Sequence, residues 1–267
     1  MTPLQRFIKY CAIALAVCLI AGIAAGALAV LSALAGIEAL MDLTTSPEEA
    51  QTEYTGIQNL DMEIGAADIR IVTGDTLSVQ TDNPYITFRE SLGTLVIREE
   101  AHIGNLESST LTLTVPEDLI FEQADITTGA GRIDAESLAC NRLKLEQGAG
   151  MAEFQSLCVL EQVSLEGGAG KIVIHGGSLR NLDFEMGLGE AQVTTALAGN
   201  CSVSAGIGSM YLTVLGDPGD FTVRSEHGIG QIQVDGARLS GKQRLGSGPN
   251  ILEIEGGIGS ITVTFDT

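Results

Sequence analysis

Hydrophobic and polar residues alternate along most of the chain after residue 57, and the alternation is interrupted at regular intervals by the triplet Gly-x-Gly. Around Gly148, for example, apolar side chains stand three and five residues before the triplet, at Leu145 and Leu143. The same period follows the triplet, at Ala152 and Phe154. A period of two on each side predicts two half-buried strands rather than a helix. The glycines between them suit a bulge or corner, where a Cβ would not fit.

Seven copies of the triplet are followed by apolar residues with this period, and their first glycines are spaced by 19, 20, 19, 19, 22 and 29 residues. A degenerate earlier copy is Gly65-Ala66-Ala67. Self-similarity at a nearly fixed period is the signature of repeat architectures. The structural corner residues predicted from it are Gly129, Gly131, Gly148, Gly150, Gly168, Gly170, Gly187, Gly189, Gly206, Gly208, Gly228, Gly230, Gly257 and Gly259.

One strand–corner–strand unit cannot bury its apolar face alone, but stacked copies bury a continuous core. We therefore predict an all-β fold, a parallel β-solenoid or β-helix with rungs of 19–20 residues. Rungs about 4.8 Å apart would give eight or so turns a length of roughly 40 Å. A β-sandwich is the structural alternative, although it has no need for identical corners at constant spacing.

Two segments break the rhythm. Residues 77–115 contain strand-like runs separated by Asp82-Asn83-Pro84 and Leu92-Gly93, and we predict irregular rungs that cap one end of the solenoid. Residues 235–250 hold Arg238, Lys242 and Arg244 among Gly and Ser, and we predict a protruding loop there. Capping is expected because an open sheet edge invites aggregation.

The N-terminal segment predicts a membrane anchor. Residues 11–37 are 27 positions without a charge, whereas a bilayer core of about 30 Å needs about 20 helical residues. A cleavable signal peptide, with Ala33-Leu34-Ala35 as the cleavage site, is the alternative. The apolar run exceeds the ~7–15 residues typical of a signal peptide, which favours a retained transmembrane helix.

Charge asymmetry sets the expected orientation. Arg6 and Lys9 precede the apolar run, so the positive-inside rule puts residues 1–10 in the cytoplasm. Residues 38–56 are acidic and predict an exposed stalk, followed by an extracytoplasmic domain over residues 57–267. The outer part carries all 34 acidic and 12 of the 14 basic side chains, a formal charge of −22. So acidic a surface argues against a nucleic-acid partner, because phosphate affinity comes from clustered Lys and Arg.

Several stretches resemble a known family. The run VPEDLIFEQADITTGAGRIDAESL, the successive GAG corners and the closing GPNILEIEGGIGSITVTF are similar to the bacterial "putative adhesin" domain of unknown function. The resemblance covers roughly Ile57 to Phe265. It implies a single-pass, membrane-anchored cell-envelope protein with a β-solenoid exterior, found mainly in Gram-positive bacteria and often encoded near envelope-stress or transcriptional regulators. It supplies no catalytic residues.

Glutamates recur two residues before the first corner glycine. Stacked rungs would place Glu146, Glu166 and Glu185 in one outward ladder. Like charges about 5 Å apart cost on the order of 1 kcal/mol per neighbour in water, so one hypothesis is that the ladder collects cations at the surface. The alternative, which we favour, is a solvated face helped by Lys144 and Lys171.

Motifs for catalysis and cofactors are missing from the sequence. The three histidines are scattered, and neither HExxH nor GxSxG occurs. The glycines lack the Gly-Lys-Ser/Thr of a P-loop, and the calcium β-roll aspartate is replaced by Ile172. Asp134 and Glu153 are the best candidate carboxylate pair for carbohydrate chemistry. We predict no enzyme, no catalytic or metal-binding residue and no cofactor.

The prediction is therefore a non-enzymatic, membrane-anchored envelope protein, an adhesin or envelope-stress interaction module on the bacterial plasma membrane. Its expected partners are the membrane and an envelope protein or cell-wall polymer. Two alternatives stay open. One is a carbohydrate-binding or carbohydrate-active β-helix, in which outward carboxylates and aromatics would converge in a groove. The other is a structural spacer for a partner membrane protein.

Overall fold

A computed structural model describes residues 50–100, 109–226 and 228–267. The predicted cytoplasmic N-terminus, transmembrane helix and first part of the stalk lie outside these residues. Within the described ranges, no helix is both long enough and apolar enough to cross a bilayer.

The described residues form one sheet of 17 strands, and the all-β prediction is confirmed. The sheet is mixed rather than purely parallel, because short strands near both ends pair antiparallel. A 3₁₀ turn spans Pro218–Asp220. The strands are β1 Ala50–Tyr54, β2 Asn59–Ile64, β3 Asp68–Gly74, β4 Leu77–Thr81, β5 Ile86–Ser91, β6 Thr94–Glu99, β7 Thr110–Pro116, β8 Phe121–Thr128, β9 Arg132–Ile174, β10 Gly177–Arg180, β11 Leu182–Ala198, β12 Asn200–Leu215, β13 Phe221–Glu226, β14 Gln231–Val234, β15 Ala237–Leu239, β16 Gln243–Gly246 and β17 Asn250–Asp266.

Successive repeats stack in parallel with their corners in register, and we call each repeat a coil. Gly189 pairs with Gly170 of the coil before and with Gly208 of the coil after. The apolar positions that alternate around each triplet are buried throughout, and the largest fully buried side chains include Phe121, Phe154 and Phe184. Because the repeats have nearly equal lengths, each apolar position stacks on the equivalent position of the next coil, as the period-two pattern predicts.

The corner glycines are needed because the corners of adjacent coils approach each other backbone to backbone. A Cβ on Gly206 would stand 2.6 Å from the carbonyl oxygen of Gly187. Each of the fourteen predicted corner glycines has a corner backbone oxygen of the adjacent coil within 2.7 Å of the place a Cβ would occupy. Gly208 adds a φ of +139°, which side-chain-bearing L-residues rarely adopt.

Sequence order and stacking order differ at the C-terminal end. The last coil, β17, pairs in parallel with β12 on one side and with β13 and β14 on the other. The coil made by β13 and β14 is therefore outside β17, although it comes earlier in the chain. This arrangement explains the long spacings of 22 and 29 residues before the last two triplets, since the chain travels outward and returns.

Residues 235–250, for which the sequence predicts a protruding loop, contain two edge strands. β15 pairs antiparallel with β14, and β16 pairs antiparallel with β13. The chain thus runs back over the outermost coil before it enters β17. The reversed strands cover an edge that would otherwise present unpaired backbone groups.

Residues 77–115, predicted to be capping rungs, build the opposite end in the same way. β6 and β7 stack in parallel outside β2 and β3. The reversed strands β5 and β4 then pair antiparallel with β6 and β7. β1 adds one more strand against β4, so Ala50–Tyr54 of the predicted stalk belongs to the sheet.

Glu99 completes the corner at this end. In the next coil, the backbone N–H groups of Gly129 and Ala130 donate to carbonyl oxygens of the Gly65 corner. The N–H groups of Gly65 and Ala66 instead donate to Oε2 of Glu99, at 2.7 and 2.9 Å. A side-chain carboxylate therefore replaces the carbonyls that an additional corner would supply.

Gln147 is a polar side chain inside the core. It is 4% exposed, and neither its Oε1 nor its Nε2 has a hydrogen-bond partner in the described part of the chain. Met186 occupies the same position before its own corner. We expect Gln147→Met to raise the free energy of unfolding by about 1–3 kcal/mol, because an unsatisfied buried amide is removed. Denaturant unfolding measures the change.

Gln162→Met is the control for this substitution, since Gln162 is exposed and its replacement should change stability by no more than about 0.5 kcal/mol. A Gln147→Met protein less stable than the parent would contradict the expectation and would indicate that the amide is satisfied by buried water.

Candidate binding surface

Each coil presents two outward rows of side chains on either side of its corner. We call the outward residues of the strand before the corner face 1, and those of the strand after the corner face 2. Glu166 and Glu185, on face 1, are direct neighbours in register. Lys171 and Glu190, on face 2, are also neighbours in register, and their side chains form an ion pair of 2.9 Å.

The predicted glutamate ladder lies on face 1. The register joins Glu185 to Glu166 and to Ser204, and joins Thr127 to Glu146. Glu166 and Glu185 are exposed, and Glu146 is half-buried. In the described residues, no group of three His, Cys, Asp or Glu side chains is placed to hold a metal ion.

Lys144 offsets part of the ladder's charge. Its Nζ forms an ion pair with Glu146. The hydrogen bond and charge of Glu146 raise the pKa of Lys144, and the charge of Glu166 adds to the effect. A cation of the protein itself is thus paired with one carboxylate of the ladder and within electrostatic range of a second.

We expect millimolar Ca²⁺ to raise the melting temperature no more than NaCl at the same ionic strength. The exposed carboxylates lie on separate coils about 4.8 Å apart, so added salt stabilises the protein mainly by screening the repulsion between them. Thermal scans of the parent, Glu166→Gln and the exposed control Glu117→Gln make the comparison. A Ca²⁺-specific rise of several degrees that Glu166→Gln removes would instead establish a cation-binding ladder.

Asp134 and Glu153, the candidate carboxylate pair, are joined through one guanidinium on face 2. Arg132 Nε lies 2.7 Å from Asp134 Oδ2, and Arg132 Nη2 lies 3.0 Å from Glu153 Oε2. The hydrogen bond and charge of Asp134 raise the pKa of Arg132. His175 Nε2 is 2.9 Å from the other oxygen of Glu153. Both carboxylates are engaged in an ion-pair network, which leaves neither free to face a glycosidic bond.

Face 2 changes character along the stack. Its first coils carry the ion pairs above, whereas the last four carry mainly hydroxyl, amide and phenol groups. Glu190 is a carboxylate at the edge of these four coils, where it pairs with Lys171 and accepts a hydrogen bond of 2.6 Å from Gln192 Nε2. Tyr211 pairs in register with Gln192 on one side and with Thr262 on the other. We call this region the uncharged patch, and its residues are Gln192, Thr194, Ser209, Tyr211, Thr213, Ser260, Thr262, Thr264, Gln231 and Gln233.

A shallow depression of about 320 Å³ lies within the uncharged patch. It is lined by Gln192, Val193, Thr194, Tyr211 and Thr213. The Tyr211 side chain is 45% exposed, so its ring is available to a ligand. A ring with an adjacent amide and two hydroxyls can stack on an apolar ligand surface and bind polar groups beside it.

The middle residues of the corner triplets form a row between the two faces. They are alanines in the degenerate copy and the first three triplets, and large aliphatic residues in the last four triplets. Leu188 pairs with Ala169 on one side and Ile207 on the other, and Ile207 pairs with Ile258. Ile229 follows, since its N–H donates to the carbonyl of Gly257. We call Leu188, Ile207, Ile258 and Ile229 the aliphatic ridge.

Sequence reasoning predicted the glutamate ladder and the Asp134 column but missed the uncharged patch and the ridge. Two signals were present in the sequence. The triplet changes from Gly-Ala-Gly to Gly-Leu-Gly and Gly-Ile-Gly, and the charged outward positions after the triplet give way to Ser, Thr, Gln and Tyr.

Several solved structures are similar to the chain at low sequence identity. A putative adhesin from Parabacteroides distasonis ATCC 8503 is 14% identical, with a TM-score of 0.42 over 82% of this chain and 96% of that chain. A putative adhesin from Bacteroides fragilis NCTC 9343 is 13% identical, with a TM-score of 0.39 over 82% and 98%. A putative lipid binding protein from Parabacteroides distasonis ATCC 8503 is 16% identical, with a TM-score of 0.37 over 82% and 97%.

No curated protein matches the chain. The family model described as Toastrack DUF4097 matches residues 41–243, which is well over half of the chain. This match confirms the family resemblance carried by the corner motifs. The chain therefore belongs to the Toastrack DUF4097 family.

Proposed function

We propose that this protein is a non-enzymatic adhesin of the bacterial cell envelope. Residues 11–37 anchor it in the plasma membrane, and the domain that follows is a β-solenoid displayed on the outer side. Its ligand is an uncharged stretch of cell-wall glycan, which binds along the uncharged patch. The glutamate face and the ion-pair network keep the remaining surface soluble.

The observation that carries this proposal is the uncharged patch itself. The chain has a net charge of −20, yet ten neighbouring outward side chains on its last four coils carry no charge. Hydroxyl and amide groups can exchange hydrogen bonds with water for hydrogen bonds with sugar hydroxyls without desolvating an ion. Tyr211 supplies the one exposed ring of the patch for stacking on a sugar face.

The repeat geometry supports a polymeric ligand. Equivalent positions recur about every 4.8 Å along the stack, so a chain molecule can make the same contact several times. Many weak contacts along one polymer give a useful total affinity. Because the Asp134–Glu153 pair is held by Arg132, the same surface does not offer two free carboxylates for cleavage.

Co-sedimentation of the full chain, in detergent, with insoluble peptidoglycan tests the proposal. We expect Tyr211→Ala to weaken binding about tenfold or more, as truncation of a central aromatic contact does. Tyr85→Ala is the matched control, because Tyr85 is 40% exposed but lies at the other end of the stack. Equal binding by the parent and Tyr211→Ala, or no sedimentation of the parent, would overturn the proposal.

A further inference from the structure

We propose that the aliphatic ridge is a self-association surface at which a second copy of this chain packs, ridge against ridge. The two copies are related by a two-fold axis parallel to the stacking direction. The inference goes beyond the adhesin proposal, since it concerns a different surface and does not require a glycan ligand.

The ridge is an apolar strip that is exposed among the residues the structure describes. Leu188, Ile207, Ile258 and Ile229 are 47%, 46%, 38% and 77% exposed. Three intervals of about 4.8 Å make the strip about 14 Å long. A single exposed aliphatic side chain needs no explanation, but an unbroken row of four is a marked interaction feature.

The fold does not require large side chains at these positions. In the first coils the same corner position holds Ala66, Ala130, Ala149 and Ala169, and the corners stack in the same register. The glycines on either side make the close backbone contacts, while the middle residue points away from the core. Leucine and isoleucine in the second half therefore serve something other than the corner itself.

The two flanks of the ridge are chemically different. On the face 1 side, two residues before the first glycine of each ridge coil, stand Glu185, Ser204, Glu255 and Glu226, and Glu226 also forms an ion pair of 3.2 Å with Lys242. On the face 2 side, three residues after the first glycine, stand Ser209, Ser260 and Gln231 in three of the four ridge coils and Glu190 in the Leu188 coil. One flank is thus rich in hydrogen-bond acceptors, and the other offers hydroxyl and amide donors.

A two-fold axis turns this difference into complementarity. When two ridges meet with their stacks side by side, face 1 of one copy lies beside face 2 of the other. Each contact between a carboxylate of one copy and a donor of the other then occurs twice, once in each direction, as in any isologous interface. The Leu188 coil is the exception, because Glu185 of one copy lies beside Glu190 of the other, and Lys171, 2.9 Å from Glu190, offsets part of that repulsion.

The charge of the molecule also favours a second copy at this place. Two chains of net charge −20 repel each other over most of their surfaces. The ridge and the uncharged patch next to it are where two such chains can approach with the least repulsion. Because the stacks remain parallel, both copies can also leave the same membrane in the same direction.

The dimer leaves the proposed glycan site open. Tyr211 is two residues beyond Ser209 on face 2, away from the corner. The two-fold axis places the two Tyr211 rings on opposite sides of the dimer. Association and glycan binding can therefore be measured separately.

Thiol cross-linking of the full chain in membranes tests the inference. Ile258→Cys should form a covalent dimer with a short bismaleimide, because the axis brings each ridge residue against its own copy. Ala149→Cys is the matched control, at the same corner position in the alanine half. The unsubstituted chain gives the background from its own five cysteines, of which Cys140 and Cys201 are buried and Cys158 is half-buried.

A second substitution then disrupts the ridge. Adding Ile207→Glu or Ile207→Ala to Ile258→Cys should reduce the dimer yield at least tenfold, whereas adding Ala149→Glu should leave it unchanged. Melting curves verify that each variant is folded. A yield from Ile258→Cys no higher than from Ala149→Cys, cross-linking that survives Ile207→Glu, or adducts with a different protein would each overturn the inference.

Discussion

Replacement of Gly208 by alanine is expected to lower the melting temperature by on the order of 10 °C. A Cβ at this position would stand 2.9 Å from the carbonyl carbon of Gly189 and closer still to its oxygen. The backbone also has a φ of +139°, which strains any residue that carries a side chain. Overpacking and backbone strain each cost about 1–3 kcal/mol, and neither can relax without separating two coils. Thermal unfolding followed by circular dichroism measures the loss.

Gly176→Ala is the control for this substitution. The nearest atom to a Cβ on Gly176 is the carbonyl oxygen of Gln155 at 3.5 Å, an ordinary van der Waals contact. Its melting temperature should remain within a few degrees of the parent. If Gly208→Ala were as stable as Gly176→Ala, the close approach of the corners would not contribute to stability as described.

Deletion of residues 250–267 is expected to unfold the C-terminal third of the domain. β17 lies between β12 and the β13–β14 coil, so its loss opens the sheet and separates β13 to β16 from the rest of the stack, leaving them paired only with each other. Four buried side chains go with it, each worth about 1.5–3 kcal/mol. They are Leu252, Ile254, Ile261 and Val263. Limited proteolysis should then cut after β12, and amide exchange should lose its protection there.

A longer deletion is the control. Removal of residues 218–249 shortens the interval between Gly206 and Gly257 from 51 residues to 19, the spacing of the regular coils. β17 can then follow β12 as the next coil, and protection of both strands should persist. Equal damage from the two deletions would contradict the stacking order, because it would show that the outer coil, rather than β17, holds this end together.

The repeating core follows from local sequence pattern. Positions such as Leu143 and Ile172 are buried because the alternation around each corner places them inward in any parallel stack. The glycine pairs are equally local, since each corner meets the same corner of its neighbour. The all-β prediction needs only these regularities.

The order of the coils is not a local property. Every coil carries the same apolar columns, so the pattern alone permits β17 to pair with either β12 or β14. It pairs with both β12 and β14 because the chain doubles back through β15 and β16. Short strands with few apolar residues, such as Gln243–Gly246, give too weak an alternation to predict that reversal.

In the candidate site, too, some features follow from the local sequence pattern and others depend on the three-dimensional arrangement. The column shared by Asp134 and Glu153 follows from coil spacing, but the guanidinium of Arg132 that joins them depends on side-chain conformation. The importance of Tyr211 depends on its neighbours across the stack. Thr262 is 51 residues away in sequence, and it becomes adjacent only through the inserted last coil.

Reversed strands close the stack at both ends, and this allows the number of interior coils to change. The closures at the two ends are separate from the interior turns, so an interior unit of 19 or 20 residues can be duplicated or lost without rebuilding either one. Each such event alters the reach of the rod by about 4.8 Å. The length of the stack can therefore change by one whole coil at a time, while the strands that close its two ends stay the same.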